Sequence, residues 1–318
     1  MPNMDRRTFL QIGAAAAGHF VMAVPDSRSA ERPGRKFTMN LNVGQIGVKA
    51  TPWEVIKLAK EYGYGSVTPP VGAVQRYSQA ERDRLVSELK SNGLVWGAGA
   101  LRPFFDQDEA TFKEKLKTVT ATARLYQQMG ATRCFTWMMS SSSTLTYREN
   151  FDLHARRVRE VATVLADHGV RLGLEYLGTA VLAVRNKYPF IRTSAETKEL
   201  IAEVGLTQVG IALDSWHWFQ AGETEDDILK LTRQDVVTAD ICDAPAGIAR
   251  RQMPDSPRRL PCTTGVIDVG AFLQGLVKIG YDGPVGMEPF DRSLRTMSTE
   301  QAMTTATNAM TKAFALIE

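Results

Sequence analysis

Eight short apolar runs, each followed by a stretch of helical spacing, constrain this chain more than any other feature. The runs are Phe37–Leu41, Ser66–Thr68, Leu94–Ala98, Cys134–Met138, Arg171–Tyr176, Val209–Asp214, Val236–Ile241 and Pro284–Glu288. The spacing between them predicts helices over Pro52–Tyr62, Ser78–Asn92, Glu109–Met129, Tyr147–His168, Ser194–Val204, Glu225–Leu231, Val269–Ile279 and Thr299–Ile317. Gly93, Gly130 and Gly169 close three of these helices, as glycine commonly does. Strict strand–helix alternation implies a parallel sheet covered by helices. Eight repeats imply closure into a (β/α)₈ TIM barrel, an α/β fold forming a single domain. The competing architecture is an open doubly wound sheet. It is disfavoured because no Gly-rich phosphate loop follows the first run.

The length supports one barrel. Of 318 residues, about 285 remain after a targeting segment and linker, near the ~250 typical of this fold. The division expected is a twin-arginine signal peptide over 1–30, a linker over 31–35 and the barrel over 36–318. Asp5-Arg6-Arg7-Thr8-Phe9-Leu10-Gln11 precedes a mildly apolar stretch, Ile12–Val24, too short for the ~20 residues of a membrane span. That pattern resembles a substrate of the twin-arginine translocase, and it places the mature protein in the periplasm or otherwise outside the cytoplasm. A net charge of +3, with no basic run, argues against nucleic acid as a partner. Three cysteines without a CxxC spacing exclude a disulfide framework or zinc ribbon. Cys134 reads as a buried thiol, and pairing of Cys242 with Cys262 stays open. The Ser140–Ser143 run reads as a mobile loop.

Function in such a barrel sits at the C-terminal ends of the strands. Four consecutive predicted strands end in an acid: Glu175, Asp214, Asp240 and Glu288. A single acid there is commonly a helix N-cap. Four converging on one mouth repel one another unless a cation neutralises them. An all-oxygen set points to a divalent ion, Mn²⁺ or Mg²⁺ ahead of Zn²⁺. His217 follows Asp214 by three positions within Trp216-His217-Trp218-Phe219 and is a candidate substrate contact, with plain packing as the alternative. Arg250, Arg251, Arg258 and Arg259 surround the loop after strand seven, and Arg259 is the candidate to pair with substrate oxygen or the acids.

These residues resemble the xylose-isomerase-like barrel superfamily of sugar phosphate isomerases and epimerases. The likeness rests on Leu174-Glu175, Asp214-Ser215-Trp216-His217, Asp240-Ile241-Cys242-Asp243-Ala244, Gly265-Val266-Ile267-Asp268, Gly280-Tyr281-Asp282-Gly283 and Glu288-Pro289-Phe290. It covers residues 36–318 and is most specific from 171 onward. The resemblance implies that Glu175 and Glu288 bind the metal and flank the substrate as acid and base. It implies Asp214 as a further ligand and His217 as a contact to substrate oxygen. Two departures stand out. The family places a His at the end of strand seven, where this chain has Asp240, and its Gly-rich stretch is replaced by Pro261-Cys262-Thr263-Thr264-Gly265. Four carboxylates around one divalent ion carry a formal charge of about −2, costly in a partly buried pocket. Compensation is expected from a retained proton, from a pairing Arg, or from His217 turning to the metal while Asp240 leaves it.

The expected activity is a metal-dependent isomerisation or epimerisation of a non-phosphorylated keto-sugar or polyol. Carboxylates would move the proton through a metal-stabilised enediolate. Export favours a carbohydrate without phosphate. The same groups support β-elimination from a 3-keto-glycoside or keto-polyol by a lyase or dehydratase, with a sugar oxidoreductase as partner supplying the keto substrate. A non-catalytic carbohydrate-binding barrel is the third reading. A His-rich trinuclear zinc site for DNA repair is excluded by the four histidines of the chain. A homo-oligomer is left open.

Overall fold

A computed structural model describes residues 34–318. The twin-arginine pattern and most of the linker lie outside the described residues.

Eight parallel strands form the wall. They are β1 (Thr38–Leu41), β2 (Ser66–Val67), β3 in two pieces (Val95–Trp96 and Gly99–Ala100), β4 (Arg133–Met138), β5 (Arg171–Tyr176), β6 (Val209–Asp214), β7 (Val236–Ile241) and β8 (Pro284–Met287). β1 pairs with β8 and β2, and β4 to β8 pair in sequence. The break in β3 closes the ring: Val95–Trp96 pairs with β2, and Gly99–Ala100 with β4. β5 to β7 are buried on both faces, as the near-continuous apolar runs of a helix-covered parallel sheet require.

The covering helices are α1 (Pro52–Glu61), α2 (Gln79–Ser91), α3 (Glu109–Met129), α4 (Tyr147–Ala166), α5 (Ser194–Val204), α6 (Ser215–Ala221), α7 (Val269–Lys278) and α8 (Thr299–Phe314). Their starts follow from sequence. Thr51, Ser78, Thr146 and Ser298 each form a capping box with a Glu or Gln three residues on, satisfying backbone N–H groups that the helix leaves free. Gly130 and Gly205 end α3 and α5 at φ of 70° and 72°, a conformation glycine adopts without a Cβ penalty.

Two expectations change, and one open point closes. The helix predicted over Glu225–Leu231 shrinks to Glu225–Ile228, and the seven-residue α6 precedes it, starting directly at the end of β6. The Ser140–Ser143 segment is built in rather than loose: Ser140 is buried, and Ser141–Ser142 pairs antiparallel with Tyr188–Pro189. All three cysteines are free thiols, with Cys134 and Cys242 buried. Among the described residues no helix is long and apolar enough to cross a membrane.

Candidate active site

Strand β6 hands directly into α6 at Asp214, and this junction organises the site. Asp214 Oδ1 accepts the Trp216 backbone N–H at 2.8 Å, capping the helix. One turn of helix then places His217 on the same side as Asp214, with β5 contributing Glu175 next door. A Cβ on Gly178 would collide with the His217 carbonyl, so glycine there lets the chain after β5 press against α6. Ser215 fixes the junction to β7 by accepting the Cys242 N–H at 2.9 Å.

Glu175, Asp214 and His217 each bring one ligand atom within 4.8 Å of the others. All three are buried. His217 Nε2 is 3.9 Å from Glu175 Oε1, while its Nδ1 is buried without a hydrogen-bond partner. Two carboxylates and an imidazole at this spacing are consistent with a divalent metal, three protein ligands being the usual complement of a catalytic site with an open position.

Of the four acids expected around the ion, Glu175 and Asp214 are in this group, together with His217. Glu288 and Asp240 are not. Glu288 lies at the end of β8, where Oε1 accepts Gln45 Nε2 at 2.8 Å and Oε2 accepts Arg258 Nη1 at 2.9 Å. Asp240 is level with Asp214 on one side and Gly286 on the other. Its carboxylate fills the space that a Cβ on Gly286 would take. Of the compensations open in the sequence, the structure contains the pairing Arg and brings His217 beside the two acids.

The arginine is Arg258, not Arg259. Arg259 forms a two-way backbone bridge with Asp243, both bonds 2.8 Å, and its Nη1 donates to the Arg258 carbonyl at 3.0 Å. Neighbouring side chains on an extended segment point to opposite sides, so Arg258 turns into the barrel mouth. It is 1% exposed. Its Nη1 donates to Asp214 Oδ2 at 2.6 Å as well as to Glu288, and its Nε donates to the Asp255 carbonyl at 3.2 Å. Trp216 and Phe290 cover the guanidinium, with ring centroids 5.2 and 4.4 Å from Cζ, within cation–π range. Phe290 holds φ at 41°, a left-handed conformation uncommon for a bulky side chain, to bring its ring there.

Burial dominates the electrostatics. It raises the pKa of Glu175 well above the carboxylate range, and Glu288 and Asp214 add to the rise. Asp214 is raised to about 6, by burial against the opposing pull of Arg258. Burial also raises Asp240, with Glu288 and Asp214 next in weight. His217 is driven well below its ordinary value by burial and then by Arg258, so its imidazole is neutral and able to act as a ligand. Burial works against the charge of Arg258, but Asp214 and Glu288 outweigh it and raise its pKa.

Asp243, in the same motif as Asp240, holds the loop rather than the chemistry. Its carboxylate accepts backbone N–H groups from Ala244, Thr264, Gly265 and Ile267 at 2.7 to 3.0 Å. This fixes the segment after Pro261, where the family's Gly-rich stretch is absent. Gln45, Asp255 and Thr179 complete the polar surround, with Thr179 accepting Trp216 Nε1 at 3.3 Å and donating to Asp255 Oδ1 at 3.1 Å. They come from loops remote in sequence and carry no motif that would have revealed them.

Comparison with known proteins agrees with this architecture. The inosose isomerase of Bacillus licheniformis is 28% identical over 162 residues, 49% of this chain and 54% of that protein. The chain thus spans about half the length of that curated relative. A xylose isomerase domain protein from Alicyclobacillus acidocaldarius superposes with a TM-score of 0.74 at 30% identity, over 86% of this chain and 96% of that one. An IolI protein with a bound zinc atom shares the fold at a TM-score of 0.73 and 18% identity, over 87% of this chain and 98% of that one. The model of the xylose isomerase-like TIM barrel family matches residues 56–313, and the chain belongs to that family.

Proposed function

We propose that the protein is a divalent-metal-assisted isomerase or epimerase of a non-phosphorylated keto-sugar or polyol, with Glu175 and Glu288 as its proton-transfer pair. The observation that carries this reading is the contrast between two glutamates at one barrel mouth. Glu175 is buried beside Asp214 and His217, and burial and the neighbouring acids raise its pKa while no ion neutralises them. Glu288 is 20% exposed in its side chain, with both oxygens accepting N–H donors. Two carboxyls at one mouth, one buried and one reaching solvent, suit a pair that removes and returns a proton. Asp214 and His217 would hold the metal with Glu175. When bound, the ion would neutralise the acids and polarise a substrate carbonyl. An imidazole in the ligand set shifts the choice from Mg²⁺ toward Mn²⁺, with Zn²⁺ also suited.

The inosose isomerase relatives and the family's fold support a cyclic or open-chain hydroxyketone as substrate. The Arg6-Arg7 pattern supports export through the twin-arginine translocase, hence a substrate without phosphate. Trp216 and Phe290 are engaged with Arg258, so sugar-ring stacking falls to other side chains of the mouth.

The test is turnover of a panel of keto-sugars and inososes by the Mn²⁺-loaded protein and by Glu175→Gln. Loss of proton transfer should lower kcat by about 10²- to 10⁴-fold in Glu175→Gln protein that metal analysis shows still carries Mn²⁺. Unchanged turnover by Glu175→Gln rejects the assignment. Release of aglycone from a 3-keto-glycoside, without epimerisation of any ketose, would move the same residues to β-elimination.

A further inference from the structure

The guanidinium of Arg258 sits against the groups that a metal would use. Asp214 Oδ1 accepts the Trp216 N–H, and Oδ2 accepts Arg258 Nη1 at 2.6 Å. His217 Nε2 lies 3.3 Å from Arg258 Nη2 and accepts from it in the tautomer that carries the proton on Nδ1. Two of the three candidate ligands are therefore engaged by one side chain. A guanidinium does not deprotonate in a protein. A dication placed a few ångströms from it in a buried site is strongly repelled. Arg258 also has somewhere to go. Its other partners, Asp255 and Glu288, have side chains 32% and 20% exposed, against 2% for Asp214 and His217.

We propose that Arg258 is the built-in occupant of this cation site, and that a divalent metal binds only by displacing its guanidinium from Asp214 and His217. This rests on the reading of Glu175, Asp214 and His217 as metal ligands. Metal-free protein then keeps its acids neutralised from within, and metal affinity is set by competition with a tethered cation. Arg258 acts here as a positioning residue that tunes loading.

The experiment measures Mn²⁺ binding by titration calorimetry and by the loss of the free-ion paramagnetic resonance signal. It compares EDTA-stripped wild type, Arg258→Gln and Asp214→Asn at pH 7.5. Arg258→Gln should bind Mn²⁺ at least about tenfold more tightly than wild type, because the competing charge is gone, and Asp214→Asn should abolish binding. Equal affinity in wild type and Arg258→Gln, lost in Asp214→Asn, overturns the competition while leaving the metal site standing. No Mn²⁺ on either protein at millimolar concentration removes the metal reading and this proposal with it. Should Arg258→Gln not fold, crystals of the wild type with and without Mn²⁺ decide. Mn²⁺ on Asp214, with Arg258 Nη1 beyond hydrogen-bond reach of Oδ2, supports the displacement. Mn²⁺ bound with that hydrogen bond intact, or no Mn²⁺ at the triad in crystals soaked at tens of millimolar, overturns it.

Discussion

At the scale of single residues, His154 makes a measurable contribution through its burial. Its ring lies between Phe105 and Phe190, and Nδ1 is 2.9 Å from the Asn150 carbonyl. Burial lowers its pKa from 6.5 to about 4. Between those values the unfolded chain binds the proton and the folded chain does not. The stability from keeping this ring neutral is therefore present above about pH 6.5 and is lost as pH falls toward 4. Urea unfolding should show wild type losing roughly 2 kcal/mol between pH 7.5 and 5 from this group, with a flatter profile in His154→Gln. Parallel profiles would assign the acid sensitivity elsewhere. Nothing in the sequence marks His154 as special, because its neighbours come from segments before β4 and after β5. The pair Arg258-Arg259 teaches the same lesson. Two adjacent arginines look alike in sequence, and only the bridge of Arg259 to Asp243 decides which one faces the carboxylates. The placement of Glu175, Asp214 and Glu288 at strand ends was legible because each directly follows an apolar run. His217 beside Glu175 was legible only as one of three compensations, because the helical turn that carries it there leaves no periodic signal in a seven-residue element.

At the scale of elements, long helices and the strands of the second half of the barrel were readable almost to the residue. Capping boxes and two-sided apolar runs are local signals, and β5, β6 and β7 carry them in full. Short elements failed where tertiary contacts replace local preference. The aromatic run Trp216–Phe219 becomes helical because Asp214 caps it and Gly178 admits it. The Ser140–Ser143 segment is ordered by a partner strand some forty-five residues away. Asp243 illustrates how a loop without regular structure is held. It is fully buried, and four backbone N–H groups outweigh the burial penalty and lower its pKa. Asp243→Ala would leave several buried donors unmet and should cost about 2–4 kcal/mol in chemical denaturation. It should also loosen Arg258, seen as a raised KM. A loss under 0.5 kcal/mol would mean that water replaces the carboxylate.

At the scale of the whole molecule, the barrel is uneven. β4 to β7 have six residues each, whereas β2 and each half of β3 have two. Native-state hydrogen exchange should find the amides of β2 and β3 protected at least about tenfold less than those of β5 to β7, since short ladders open locally at lower cost. Uniform protection would mean that the ring opens only as a unit. The architecture was legible because alternation is a property of the whole chain. The broken third strand was not, because a single apolar run from Leu94 to Ala98 gives no hint that its two ends serve different neighbours. The ring has one distant seam. Every strand pair but β1 with β8 joins neighbours along the chain. Joining Thr38 to Pro284 means tying together the two ends of the described chain, and such distant closures come late and slowly in folding. The candidate ligands stand away from that seam, so the nascent barrel would carry a nearly complete site before it is round.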